Sequence, residues 1–170
     1  VHQRSGEVRR RAGERPPARR RAPRPPRGLR ALPAAPRAVA VFIGAVMLYG
    51  ACVHVVDLVL WGFRSRAWAP TWLNAFWNSL IVFDSLSGVL LLKARRGGLY
   101  LTCLTMLADL ASNLYAVYGV RHSGLGAGSV DVIVLLAFGL FVLASAPWLR
   151  RRLPTGAARR ASIGMDMTNS

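Results

Sequence analysis

All 23 Lys and Arg residues of this 170-residue chain lie outside four long apolar segments, yet each of those segments contains one aspartate. The segments are residues 38–63, 72–92, 99–120 and 130–149. A helix rises about 1.5 Å per residue, so about 20 residues without Lys or Arg are needed to cross the hydrocarbon of a bilayer. The pattern therefore predicts four transmembrane helices. Connections of six to nine residues make consecutive helices antiparallel neighbours, and the expected fold is all-α, a polytopic membrane protein built as an up-down four-helix bundle. No repeat relates the first pair of helices to the second, because the acids do not recur at a fixed spacing.

Composition supports the division. A chain that is 53% hydrophobic with a formal net charge of +16 is unusual for a soluble domain, and here the two properties are segregated along the sequence. Residues 1–37 hold twelve Arg and several Pro with no aromatic side chain, and residues 150–170 form a second basic stretch. Both are expected to be disordered. Lys and Arg in short loops set orientation: twelve precede the first span, two lie in the first loop, three in the second, one in the third and five in the tail. The expected location is the inner (plasma) membrane of a bacterial cell, with both termini cytoplasmic. The bilayer is the first partner, and anionic lipid headgroups are the expected partner of the Arg-rich arm. Nucleic acid is not, since no aromatic precedes Phe42 to stack bases and no folded motif surrounds the charge.

Cys52 and Cys103 fall at different depths of two parallel-running helices, about 21 Å and about 6 Å from their respective starts, so no disulfide is expected. The run Leu48-Tyr-Gly-Ala-Cys52 has the outline of a lipoprotein cleavage site, but the long basic arm and Tyr49 fit a membrane helix better. There is no C-x-x-C, no Gly-rich phosphate loop and no recognisable nucleophile motif. No cofactor is expected.

The acids carry the functional question. An Asp at the centre of a span costs about 2.5–3.5 kcal/mol to insert, and such residues face the bundle interior, a water-filled cavity or a partner. Asp84 and Asp109 are near mid-span, Asp57 is about two turns from the outer end of the first helix, and Asp131 is the second residue of the fourth predicted span. Asp131 has a structural explanation, as a first-turn acid following Ser129 as N-cap. For the mid-span pair the bland reading is interhelical hydrogen bonding. The functional reading is one polar cluster of Asp84, Asp109, Asn113, Asn74 and Thr105. Helical spacing puts Thr102, Thr105, Asp109, Ser112, Asn113 and Ala116 on one stripe, opposite Leu104, Leu107, Leu110, Leu114 and Val117. The first helix presents Gly50, His54, Asp57 and Trp61 on one face, and the second Asn74, Trp77, Asp84 and Gly88. The fourth has almost nothing polar and is expected to close the bundle against lipid. Two carboxylates brought together in a low-dielectric interior cannot both ionise cheaply, so Asp84 and Asp109 are expected to share a proton unless a cation joins them.

His54 and Asp57 are i, i+3 neighbours, an arrangement that orients an imidazole for acid–base work, and they are the candidate catalytic pair. Only His54/Asp57 and Asp109/Asn113 have the spacing of metal ligands on one helix, and no metal is expected.

Trp77-Asn-Ser-Leu80, Asp84-Ser-Leu86, Leu90-Leu-Leu92, Gly98-Leu99 and then Asp109 with Asn113 and Tyr115 together resemble a group of small uncharacterised bacterial four-helix membrane proteins. In that group, W-x-S-L-x-x-x-D and D-x-x-x-N-x-Y halves flank a basic turn. The resemblance covers about residues 50–120; it implies a membrane location and points to the same polar residues without supplying an activity. A fainter likeness is to the emopamil-binding, sterol-isomerase-like proteins, from which the chain departs in helix count and in lacking their Glu residues.

Three functions follow from these residues. The first is binding or relay of protons, a small cation or a polar molecule at the Asp84/Asp109/Asn113 cluster, with a homo-oligomer expected because four helices enclose little volume. The second is acid–base chemistry by His54 and Asp57 on a lipid-like substrate. The third is an accessory bundle held by polar contacts. A pocket open sideways to lipid favours the enzyme, and a funnel open to water favours the first reading.

Overall fold

The computed structural model describes residues 28–122 and 129–154. After a 3-10 turn at Gly28–Ala31 come four helices: α1 (Ala34–Trp61), α2 (Thr71–Leu92), α3 (Arg96–Leu114, continued by a π-helical turn and a half at Tyr115–Val120) and α4 (Ser129–Arg152). They form the expected all-α, up-down four-helix bundle, with no strand among the described residues. The α1–α2 interface is the most extensive, followed by α2–α3 and α3–α4.

All four helices are long and apolar enough to cross a membrane. Their surface makes the same point from the other direction. Val59 is 76% exposed, and Leu60, Val82, Leu104 and Ile133 are each exposed as well, while Asn74, Asp84, Ser87, Thr102, Thr105 and Ser112 are buried. Apolar exposure on that scale suits lipid rather than water.

Helix ends and span ends differ, and the difference has a physical cause. The predicted first span starts at residue 38 because Arg37 ends the charge-free run, but α1 begins at Ala34 and takes in both Pro36 and Arg37. Proline is tolerated in a first turn, where its missing N–H has no intrahelical partner. Of the arm expected to be disordered, residues 28–37 take a 3-10 turn and the first turn of α1, and Leu29 and Leu32 pack into the apolar end of the bundle. Residues 1–27 and 155–170, with the remainder of that expectation, lie outside the described residues. α3 likewise starts in the basic turn at Arg96, and α4 runs on through Arg150, Arg151 and Arg152, cations that suit a helix C-terminus. Arg96 Nε donates to the Leu153 carbonyl at 2.9 Å, satisfying an orphan acceptor beyond that terminus. Only α1 stops earlier than expected, at Trp61 rather than Phe63. Gly62 adopts φ 74° and ψ −173°, a region closed to side chains, with its N–H on the Leu58 carbonyl.

α1 and α2 touch backbone to backbone at Gly44 and Gly88. A Cβ on Gly88 would sit 2.9 Å from the Gly44 carbonyl oxygen and 2.8 Å from Leu48 Cγ. Below this crossing, at the end bearing the termini, Ile43, Met47, Leu91, Leu99, Val142 and Leu149 form an apolar core. α4 contributes Val142 and Leu149 to it and holds α1 through edge-on contacts of Phe138 and Phe141 with Phe42. At the opposite end a smaller cluster of Leu73, Trp77, Leu80 and Ala116 lies under the α1–α2 loop. Cys52 and Cys103 are both free thiols.

Candidate functional site

The α1–α2 loop, residues 62–70, is folded back onto α2 by one side chain. Asn74 is 1% exposed. Its Oδ1 accepts from the Arg66 N–H at 3.1 Å, and its Nδ2 faces the carbonyls of Arg66 at 3.0 Å and Ala69 at 3.2 Å. Asn78 adds a bond from its Nδ2 to the Phe63 carbonyl at 2.8 Å. The clamp fixes the backbone of Arg66 at the mouth of the bundle. From there the guanidinium reaches Asp57 of α1, Nη2 to Oδ2 3.3 Å, and lies over the Trp77 ring with Cζ 4.6 Å from the centroid. Trp77 Nε1 donates to Ser112 Oγ on α3 at 3.2 Å, and Ser112 Oγ donates in turn to the Asp109 carbonyl at 2.8 Å.

Deeper in the bundle, His54 Nε2 and Asp84 Oδ2 are 4.0 Å apart, close enough for an ion pair and too far for a hydrogen bond. By position along their helices they ought to miss: His54 is about 10 Å from the loop end of α1 and Asp84 about 20 Å from the loop end of α2 at about 1.5 Å per residue. Side chains lean toward their own helix N-terminus, and because α1 and α2 are antiparallel these two lean toward each other. Gly50 makes room for the meeting, since a Cβ there would lie 3.0 Å from Asp84 Oδ2.

α3 brings the third carboxylate. Asp109 is held by Asn113, whose Nδ2 donates to Asp109 Oδ1 and to its carbonyl, both at 2.9 Å. Its charge is felt at Asp84, and that of Arg66 at both Asp109 and His54. Thr105 is buried a turn from Asp109 on the same stripe. Ser87, a turn beyond Asp84, is wholly buried and its Oγ has no hydrogen-bond partner. It ends the polar track on α2, where Gly88 and Leu91 follow on the buried face.

Several sequence expectations change in detail. His54 and Asp57 share a face of α1 as their spacing requires, but Asp57 pairs with Arg66 while His54 Nε2 lies 4.0 Å from Asp84 Oδ2. Asp57 is a turn nearer the mouth, within reach of the loop. Asn74 is committed to the loop backbone, and among the described residues none of its hydrogen bonds reaches the carboxylates. The charge of Asp109 bears on Asp84, and among the described residues no hydrogen bond joins them. Asp131 is in the first turn of α4, as expected, but its side chain lies outside the described residues. Arg66 went unremarked in the sequence beyond its loop charge, and loops have no periodicity to flag such a residue. Among the described residues, no three His, Cys, Asp or Glu side chains converge as metal ligands.

At the mouth an open depression of about 330 Å³ is lined by Asp57, Trp61, Ser65 and Arg66. It lies at the helix ends beside the loop, and a second depression of about 320 Å³ lies on the side of the bundle between α3 and α4, lined by Leu99, Tyr100, Cys103, Ala146, Pro147 and Arg150. No protein-family model, curated protein or solved structure matches this chain.

Proposed function

We propose that the chain is a membrane protein that binds and exchanges a proton inside its bundle, at His54, Asp84 and Asp109, from the face that carries the α1–α2 loop. The observation that supports this best is the His54–Asp84 approach at 4.0 Å, made between two helices and under the influence of a third helix's carboxylate. An imidazole is the side chain that most readily gains and loses a proton near neutral pH, and a buried carboxylate beside it is a natural exchange partner. Beyond Ser87 the apolar core of Ile43, Leu91 and Leu99 supplies no group to carry a proton onward, which favours a one-sided site over a continuous path. The excess of Lys and Arg in the arm, second loop and tail puts that face outside the cell, with both termini cytoplasmic.

The test is infrared difference spectroscopy of the reconstituted protein across a pH titration. Asp84→Asn and Asp109→Asn are expected to fold and to lose a titrating carboxyl band that Asp131→Asn retains. Retention of the full band in both mid-span variants would leave the carboxylates as interhelical adhesive and defeat the proposal.

A further inference from the structure

We infer that the Arg66 guanidinium is a tethered occupant of a binding site for small organic cations of the guanidinium or alkylammonium class. The site lies at the mouth of the bundle and is formed by Asp57, Trp61 and Trp77. It does not depend on proton exchange at His54 and Asp84.

The chemistry at the mouth suits such a cation. Asp57 supplies one carboxylate at 3.3 Å from Nη2, and the Trp77 face supplies a π surface at 4.6 Å from Cζ. A carboxylate beside an indole face is an arrangement that recognises a flat or alkylated cation, because the ring quadrupole adds attraction a hydrated metal ion cannot use well. Trp77 is held in that pose by its Nε1 bond to Ser112 and by the edge of Trp68, with ring centroids 6.3 Å apart. An anion would meet Asp57 and find Arg66 already neutralised.

Arg66 is built to leave. Its backbone is pinned on both sides by Asn74, whereas its side chain is about one-third exposed and borders the 330 Å³ depression. A fixed pivot with a long flexible arm can swing outward without unfolding the loop, and the guanidinium then competes with any ligand at the effective concentration its tether imposes, on the order of millimolar.

The experiment titrates methylguanidinium into the full chain in lipid nanodiscs, read by calorimetry and tryptophan fluorescence, with equimolar sodium as the ionic-strength control. Saturable binding to the wild type is expected, tightening by about tenfold or more in Arg66→Ala and Arg66→Gln as the tethered competitor is removed. Asp57→Asn is expected to abolish it. Binding in the Arg66 variants alone would mean rescue of an artificial void and would overturn the inference, as would binding that survives Asp57→Asn or is matched by sodium. Failure of both Arg66 variants to fold would make that residue a structural clamp and would overturn it equally. The carboxyl band is recorded on the same wild-type samples, so methylguanidinium binding without the band defeats proton exchange alone, and the band without binding defeats only this inference.

Discussion

Gly50 stands opposite the Asp84 carboxylate, where a single methyl group would come within 3.0 Å of Oδ2. Replacing it by Ala sets two effects against each other. Helix propensity favours Ala by about 1 kcal/mol. Against it, the carboxylate must retreat by a few tenths of an ångström, which the end of a side chain can do at small cost. Gly50→Ala is therefore expected to hold or modestly raise the melting temperature while disturbing the approach of Asp84 to His54. NMR titration of the His54 ring would record a shifted midpoint relative to wild type; an identical curve would show that the two groups do not sense each other. Ser87 shows the opposite economy, a buried hydroxyl left unpartnered where Thr102 has the Gly98 carbonyl at 2.8 Å.

The α1–α2 loop is the element on which the mouth depends, and side chains of α2 add to its own turn bond from the Ala69 N–H to the Arg66 carbonyl at 2.9 Å. Asn74 satisfies the N–H and C=O of Arg66 and the C=O of Ala69. Losing a partner costs a buried backbone group about 1–3 kcal/mol, and loop groups recover part of this from water. Asn74→Ala is thus expected to destabilise the protein by about 2–4 kcal/mol and to raise amide exchange across residues 62–70 selectively, leaving the Gly44–Gly88 crossing protected. Uniform exchange along the whole of α1 and α2 would mean that the loop is not a separate unit. The distinction matters for function, since releasing the loop also withdraws Arg66 from Asp57 and Trp77.

Seen as a whole, the molecule is polar inside toward one end and apolar at the other, and its orientation decides which side of the membrane the polar end faces. In a background lacking Cys52 and Cys103, a cysteine at Ser65 is expected to react with impermeant reagents added outside, and one at Gly97 only after the membrane is opened. Labelling of Gly97 from outside would invert the topology. Removal of residues 1–27 is expected to leave insertion intact, whereas a cut beyond Leu32 would take Leu29 and Leu32 out of the apolar core. The number of spans, their order and the presence of one acid in each were legible from residue types alone, because hydrocarbon excludes Lys and Arg over a length that counting can measure. Helical spacing also put Thr105, Asp109, Ser112 and Asn113 on one stripe, since periodicity is a property of a single helix. Pairing between helices was beyond it. Which acid meets His54, why Asn74 serves the loop, and how Arg66 comes to lie on Trp77 all depend on the close crossing at Gly44 and Gly88, on the opposed lean of side chains from antiparallel helices, and on a loop fold with no period. Those are relations between segments distant in the chain, and only the tertiary packing decided them.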